Sequence, residues 1–484
     1  MQTVLLWLRR DLRLADNPAL SAAVDQAERV IPVYIHAPDE EGSWQPGEAS
    51  RWWLHQSLKA LSAQLSDLGS RLILRRGPSL EALQALVQET GAEAVFWNRL
   101  YEPLIVARDR RIKQALRQQG LAAQSFQSAL LVEPWHLRTG KGEAYRVFTP
   151  FWRALQKRET PRAPVKIPRT LRTPSRWPGT EALPTLGLLP STHWYPKLED
   201  HWQPGEQGAA RALQGFMDRG LARYHEGRDL PAEDGVSRLS PHLHFGEISP
   251  FQLWQQISEV MAARSALLRG GEAWLRQLAW REFAHHILFE FPHTPDHAMY
   301  ERWADFPWRD GHEPMLRAWQ RGETGYPIVD AGMRELWATG YMHNRVRMIA
   351  ASLLVKNIRA PWQAGARWFW DTLVDADLAN NSMGWQWSAG CGADASPWFR
   401  IFNPFTQSRR FDPSGAYLRR WLPELAGLSD KQIHAPHELD EASLSAAGVR
   451  LGMEYPRPVV DYRASREQAL EAAKSLRAGP GSVS

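Results

Sequence analysis

Two aspartates, Asp375 and Asp377, are followed by an amide pair, Asn380 and Asn381, and then by a Trp-Gln-Trp unit, Trp385 to Trp387. Just upstream, Asn344, Arg345, Arg347 and Met348 sit in a run with helical periodicity. The stretch from Gly325 to Phe405 thus gathers aromatic and hydrogen-bonding groups in an apolar setting. Such a mixture suits a large planar cofactor, whose orientation the polar groups fix and whose faces the aromatic and aliphatic groups cover. A buried Arg347 needs a carboxylate, which Asp375 or Asp377 can supply. Trp274, Gln277, Trp280 and Arg281 recur at three- and four-residue spacing and so share one helix face, as Asn344 and Met348 do. Ser237-Arg238-Leu239-Ser240-Pro241 offers hydroxyls and backbone N–H groups ahead of a helix, which favours an anion such as phosphate. Taken alone, that segment reads as an ordinary capped turn. The closest histidine pairs, His242/His244 and His285/His286, have no third ligand at recognisable spacing, so no metal site is expected. No acid–base triad is evident.

The elements that must position these residues fall into two patterns. Residues 1–130 alternate β-like runs (Thr3–Leu8, Val30–Ile35, Arg71–Arg75, Ala94–Trp97) with helical ones (Ser50–Leu68, Leu80–Thr90, Ala107–Gln119). That alternation predicts an α/β domain with a Rossmann-like parallel sheet. No Gly-rich dinucleotide or P-loop fingerprint follows any of the strands. Residues 131–205 read as a connection, with nine prolines between Pro161 and Pro204. Residues 206–477 are almost wholly helical in pattern, with Ser249-Pro250 a clear N-cap and first helical position. Residues 478–484 are expected to be a disordered tail.

The 484 residues imply two or three domains, and the 44% apolar content is that of a globular protein. Twenty-four tryptophans exceed what core packing requires and leave some for stacking or redox work. A net charge of +5 permits a polyanionic partner, and the single Cys391 excludes a disulfide framework and an all-cysteine iron–sulfur cluster. The N-terminus lacks the form of a signal peptide, and no apolar run reaches the ~18 residues of a membrane span.

The chain resembles the photolyase/cryptochrome family over nearly its whole length. The resemblance is carried by LWLRRDLRLADNPAL, VSRLSPHLHFGEISP, WREF, TGYPIVDAGMRELWATGYMHNRVRM, DADLANNSMGWQW, RIFNP and YLRRWLPEL. It implies an α/β domain, a long linker and an all-α C-terminal domain that binds FAD. By that resemblance Tyr224, Val236, Ser237, Arg238, Leu239 and Ser240 hold the flavin phosphates and ribityl chain. Trp274, Gln277, Arg281, Arg347, Asp375, Asp377 and Asn381 line the pocket, Arg347 and Asp375 as an ion pair. Asn381 falls beside the flavin N5, where plant cryptochromes tend to carry Asp. An amide cannot donate a carboxylic proton, which favours repair over signalling.

The same resemblance places Gln277, Trp280, Asn344, Arg345, Met348 and Trp387 around a flipped-out cyclobutane pyrimidine dimer. Arg345, Arg400, Arg409 and Arg410 are expected to meet phosphates. Trp308, Trp362 and Trp385 match the family's electron-hopping chain to the flavin. The implied activity is that of a deoxyribodipyrimidine photolyase, in which reduced FAD gives an electron to the dimer under blue light. Gln277 departs from the pattern, since dimer photolyases commonly have Glu there and Gln is more typical of (6-4) photolyases. Those, however, carry His-His where this chain has His343-Asn344. GMRELWAT, YLRRWLPEL and NRLYEP resemble plant cryptochromes and bacterial class III photolyases, which implies a methenyltetrahydrofolate antenna; Trp52, Tyr101 and Glu102 are its candidate contacts. A blue-light receptor is the alternative function. The expected partner is damaged DNA, single- or double-stranded, met by a monomer in the bacterial cytoplasm and nucleoid, with no membrane association.

Overall fold

The computed structural model describes residues 1–158, 161–395 and 399–476; Arg477 and the expected tail, 478–484, lie outside the described residues. The chain forms two compact units. One holds Met1–Ala222, Ser237–Pro292 and Val374–Ala379, the other Arg223–Val236, His293–Leu373 and the chain from Asn380 onward.

The first unit is built on strands β1 (Thr3–Leu8), β2 (Arg29–His36), β3 (Ile73–Arg76), β4 (Ala94–Asn98) and β5 (Ala122–Phe126), in the order β3-β2-β1-β4-β5. All pairings are parallel. Helices α1 (Pro18–Gln26), α2 (Glu48–Asp67), α3 (Ser79–Thr90) and α4 (Pro103–Gln118) alternate with them. β1 is buried along its whole length, which is why it reads as an unbroken apolar run and not as an alternating one. Strand order reverses at β1, so the loops leaving β1 and β4 flank the switch point where such sheets gather functional groups. The sequence reading left out β5, whose AAQSF is largely half-exposed at the sheet edge. It also left out α1, although Asn17 caps that helix by accepting from Leu20 N and Pro18 occupies its first turn.

Among the described residues of 131–205 there are one α-helix, α5 (Phe148–Gln156), and three 3₁₀ turns, Pro134–His136, Leu183–Leu186 and Tyr195–Asp200. There follow α6 (Glu206–Arg219), the short α7 (Tyr224–Gly227) of the second unit, and α8 (Ser240–His244), α9 (Pro250–Ala263) and α10 (Leu268–Glu290) of the first. The expected N-cap is a complete capping box, with Gln252 N donating to Ser249 Oγ at 3.0 Å and Ser249 N to Gln252 Oε1 at 2.9 Å. Gly246 is required where it stands. Its φ is +67°, and a Cβ would lie 2.2 Å from the Arg10 carbonyl oxygen. Arg13 Nη1 donates to the Gly246 carbonyl at 2.8 Å, so the RRDLRL loop after β1 is tied to HFGEIS.

The second unit is helical: α11 (Glu313–Arg321), α12 (Pro327–Thr339), α13 (Asn344–Ser352), α14 (Trp362–Thr372), α15 (Leu378–Ala389), α16 (Pro404–Phe411), α17 (Ala416–Trp421), α18 (Glu441–Ala446) and α19 (Tyr462–Ser475). Asp330 on α12 accepts from Thr324 N and Oγ1, Gly325 N and Tyr455 Oη at 2.6–2.9 Å, which fastens the TGYPIVDAG segment. The helix that begins at Asn344 keeps α geometry only to Ser352. It continues as a π-helical turn, Leu353–Ile358, closed by Arg359 at φ +58°. Among the described residues no helix is long and apolar enough to cross a membrane.

Candidate active site

The loops after β1 and β4 meet in the first unit, where Arg10 Nη1 lies 2.7 Å from Glu102. His285 of α10 and Asp377 complete a buried cluster: ligand atoms of Glu102, His285 and Asp377 all lie within 4.8 Å of one another. Asp377 is also 3.5 Å from His244 and 3.4 Å from His285. Burial alone would raise the Asp377 carboxyl, but the two histidines hold it well below the usual range. Burial would likewise lower His285, yet Asp377 raises it. Glu102 is held below its ordinary value by Arg10 and His285, again against burial. Sequence spacing showed no third partner for either histidine pair; the fold brings two carboxylates to His285. In the sequence Asp377 and Glu102 were expected in separate roles, and His285 stood out only as half of a histidine pair. The cation that balances them, Arg10, lies in LWLRRDLRL, where no role was assigned to it.

Other expected pocket residues lie near that cluster in sequence. Ser240 Oγ donates to Asp375 Oδ2 at 2.7 Å, and Arg238 just before α8 adopts a left-handed conformation, φ +52°. Together they shape the Val236-Ser237-Arg238-Leu239-Ser240 turn. Trp274 is buried, with its ring 5.9 Å from Phe216. Arg281 Nη1 donates to the Ala129 carbonyl at 2.8 Å, and Gln277 Nε2 to Ala273 of its own helix at 3.4 Å. Trp280 is stacked on Phe148, with ring centroids 3.7 Å apart and planes 7° apart. Trp52 is fully buried and edge-on to Trp53, while Tyr101 is buried 6.3 Å from the Trp135 ring.

In the second unit Tyr224 is buried, and its phenol is raised by burial. Arg347 Nε donates to the Met342 carbonyl at 2.6 Å, and its guanidinium lies 5.0 Å from the Tyr341 ring. Arg345 pairs with Asp229 at 2.7 Å, and its guanidinium lies 4.5 Å from the Phe411 ring. Asn344 is exposed and sits with Arg345 around the Met348 sulfur, each at 3.9 Å. Arg400 and Arg410 lie against the Phe402 and Phe411 rings, and Arg409 reaches Glu438 at 3.4 Å. The half-buried Trp387 ring is 6.4 Å from Phe402.

The three tryptophans of the expected electron path grade from buried to partly exposed. Trp385 (3% exposed) and Trp362 (2%) are inside, whereas Trp308 is half-buried, 4.5 Å from Phe306. Trp385 packs edge-on to Phe369 at 5.0 Å and Trp319 at 6.0 Å. It lies so close to α14 that a Cβ on Gly365 would be 2.1 Å from its ring.

Asn381 Nδ2 donates to the Ala366 carbonyl at 3.1 Å, which fixes the amide plane. The hydroxyl of the adjacent Ser382 is buried with no hydrogen-bond partner among the described residues. A buried orphan hydroxyl beside an oriented amide fits a cofactor that brings its own polar edge. Residues 274–475 match the FAD binding domain of DNA photolyase, and residues 4–169 match DNA photolyase. A deoxyribodipyrimidine photo-lyase of Agrobacterium fabrum is 48% identical, over 98% of each chain. The chain belongs to the photolyase/cryptochrome family. Among solved members of the family, a class III photolyase from Agrobacterium tumefaciens superposes with a TM-score of 0.95 at 48% identity, covering 99% of this chain and 98% of its own. Cryptochrome-2 of Arabidopsis thaliana is 38% identical over 98% of this chain and 79% of that protein. The photolyase/cryptochrome resemblance and the parallel-sheet and helical domains expected from sequence both hold.

Proposed function

We propose that the chain is a light-driven DNA repair enzyme, a deoxyribodipyrimidine photolyase that splits cyclobutane pyrimidine dimers. Bound FAD, in its reduced state, supplies the electron that opens the cyclobutane ring and takes it back afterwards. The chain's own residues do the rest. Ser237 to Ser240 and Tyr224 hold the diphosphate and ribityl end, and Ser240 orients Asp375. Asp377, kept ionised by His244 and His285, gives the polar edge of the ring system a fixed acceptor. Trp280, Trp387, Met348 and Asn344 receive the flipped pyrimidines, two indoles as stacking faces and the amide as a base-edge partner. Trp308, Trp362 and Trp385 carry electrons inward during photoreduction.

The observation that favours repair over light sensing is Asn381, an oriented amide with no acidic proton to give. Gln277 keeps (6-4) repair as the second reading, because Gln donates to a carbonyl but carries no proton to lose. A methenyltetrahydrofolate antenna is the proposed second chromophore, with Trp52, Tyr101 and Glu102 as its candidate contacts. Residues 1–130 are assigned to that antenna, 131–205 to the linker and 206–477 to FAD and DNA. The protein is proposed to act as a monomer in the bacterial cytoplasm. The test compares photoreduced protein on oligonucleotides carrying a thymine dimer or a (6-4) lesion. Repair of the dimer supports the proposal, and repair of the (6-4) lesion alone transfers it to the second reading.

A further inference from the structure

We infer that Phe148 is a positioning residue for lesion recognition: it fixes the plane of Trp280 so that one indole face stays presented to the flipped pyrimidine pair. The inference rests on the reading above that Trp280 is a stacking platform. A half-buried indole at the surface of α10 has two free side-chain torsions and several rotamers. Phe148, 1% exposed at the first position of α5, covers one face of the indole at 3.7 Å and 7°. Phe283 closes the arrangement edge-on to both rings, 5.9 Å from each at 69° and 73°. α5 itself is locked to α10. Phe151 lies 5.1 Å from Phe283, its other contacts being Tyr145 at 6.0 Å and His286 at 5.4 Å. Tyr145 N donates to His286 Nε2 at 3.2 Å.

The stack covers one indole face and restricts the rotamer, so a second aromatic surface meets an ordered platform. A preorganised side chain spares the ligand the cost of ordering it, which corresponds to about 3- to 10-fold in affinity. Phosphate contacts, which set affinity for any DNA, do not depend on the plane of Trp280. Phe148 therefore acts on discrimination between damaged and undamaged DNA and not on DNA binding in general.

The test measures dissociation constants in the dark, with flavin-loaded protein, for one oligonucleotide with and without a single thymine dimer. Phe148→Leu keeps the apolar volume and loses the flat ring; Phe148→Met is a second such replacement with a more adaptable shape. Both are expected to lower the damaged-to-undamaged affinity ratio about 3- to 10-fold, while Phe148→Tyr retains it. In a Trp280→Leu background Phe148→Leu should add nothing. If Trp280→Leu loses discrimination but Phe148→Leu and Phe148→Met keep it and only melt earlier, Phe148 is a core residue and the inference is overturned. Unchanged discrimination in Trp280→Leu as well would overturn both the inference and the role of Trp280.

Discussion

Replacing Gly365 with alanine perturbs the proposed electron path without touching any group that carries an electron. The added Cβ would lie 2.1 Å from the Trp385 ring, about 1.3 Å short of ordinary contact at 3.4 Å, so the ring or α14 must move. Overpacking of this kind costs about 1–3 kcal/mol. Alanine's better helix propensity returns up to ~1 kcal/mol of that. With the full ~1 kcal/mol returned, the variant should be less stable by up to about 2 kcal/mol. Gly215→Ala on α6 is the control, because the atoms nearest its added Cβ are the far end of the flexible Arg219 side chain, and it should be neutral or slightly stabilising. Displacing a reacting group by about 1 Å can cost up to roughly 100-fold in rate. Flavin photoreduction with an external donor under blue light should accordingly slow in Gly365→Ala, by up to roughly 100-fold. Repair by chemically reduced enzyme, which bypasses the path, should remain near wild type. Wild-type photoreduction together with an unchanged melting temperature would show that Trp385 is not constrained by Gly365 and refute the reasoning.

Gln277→Glu should raise the quantum yield of dimer splitting, measured as thymine absorbance recovered per absorbed photon; no gain would remove Gln277 as a limitation. Asn381→Asp places a carboxylic proton where the amide has none, and repair yield should fall while flavin content and dimer binding persist. Glu282 gives a pH signature. Burial raises its carboxyl to about 7, against Arg281, His285 and the N–H groups of Val132 and Leu131. A raised acid favours folding when protonated, so its stabilisation is full below about pH 4.5 and lost as pH rises through 7, on the order of 3 kcal/mol. Against Glu282→Gln, the wild-type melting temperature should fall between pH 5 and 7.5; parallel curves would contradict the shift.

Local signals were the legible ones. Ser249-Pro250 announced α9 because a cap and a proline act within a few residues, and the apolar run Thr3–Leu8 announced β1 because both of its faces are buried. AAQSF did not announce β5, since an edge strand needs little apolar character. The π-turn after Ser352 depends on tertiary packing that no helical periodicity encodes. The Glu102, His285 and Asp377 cluster joins residues far apart in the chain, and spacing rules for metal or catalytic motifs are blind to such a meeting. Phe148 stood in a segment that read as connection. Nothing local showed that its ring stacks on Trp280.

The central claim is tested most directly by illuminating flavin-loaded, reduced protein with a thymine-dimer oligonucleotide and following thymine absorbance. Recovery under blue light and none in the dark is the predicted result. No recovery of absorbance would contradict dimer repair, and if a (6-4) oligonucleotide is not repaired either while the flavin still photoreduces, the chain belongs among the light sensors of its family.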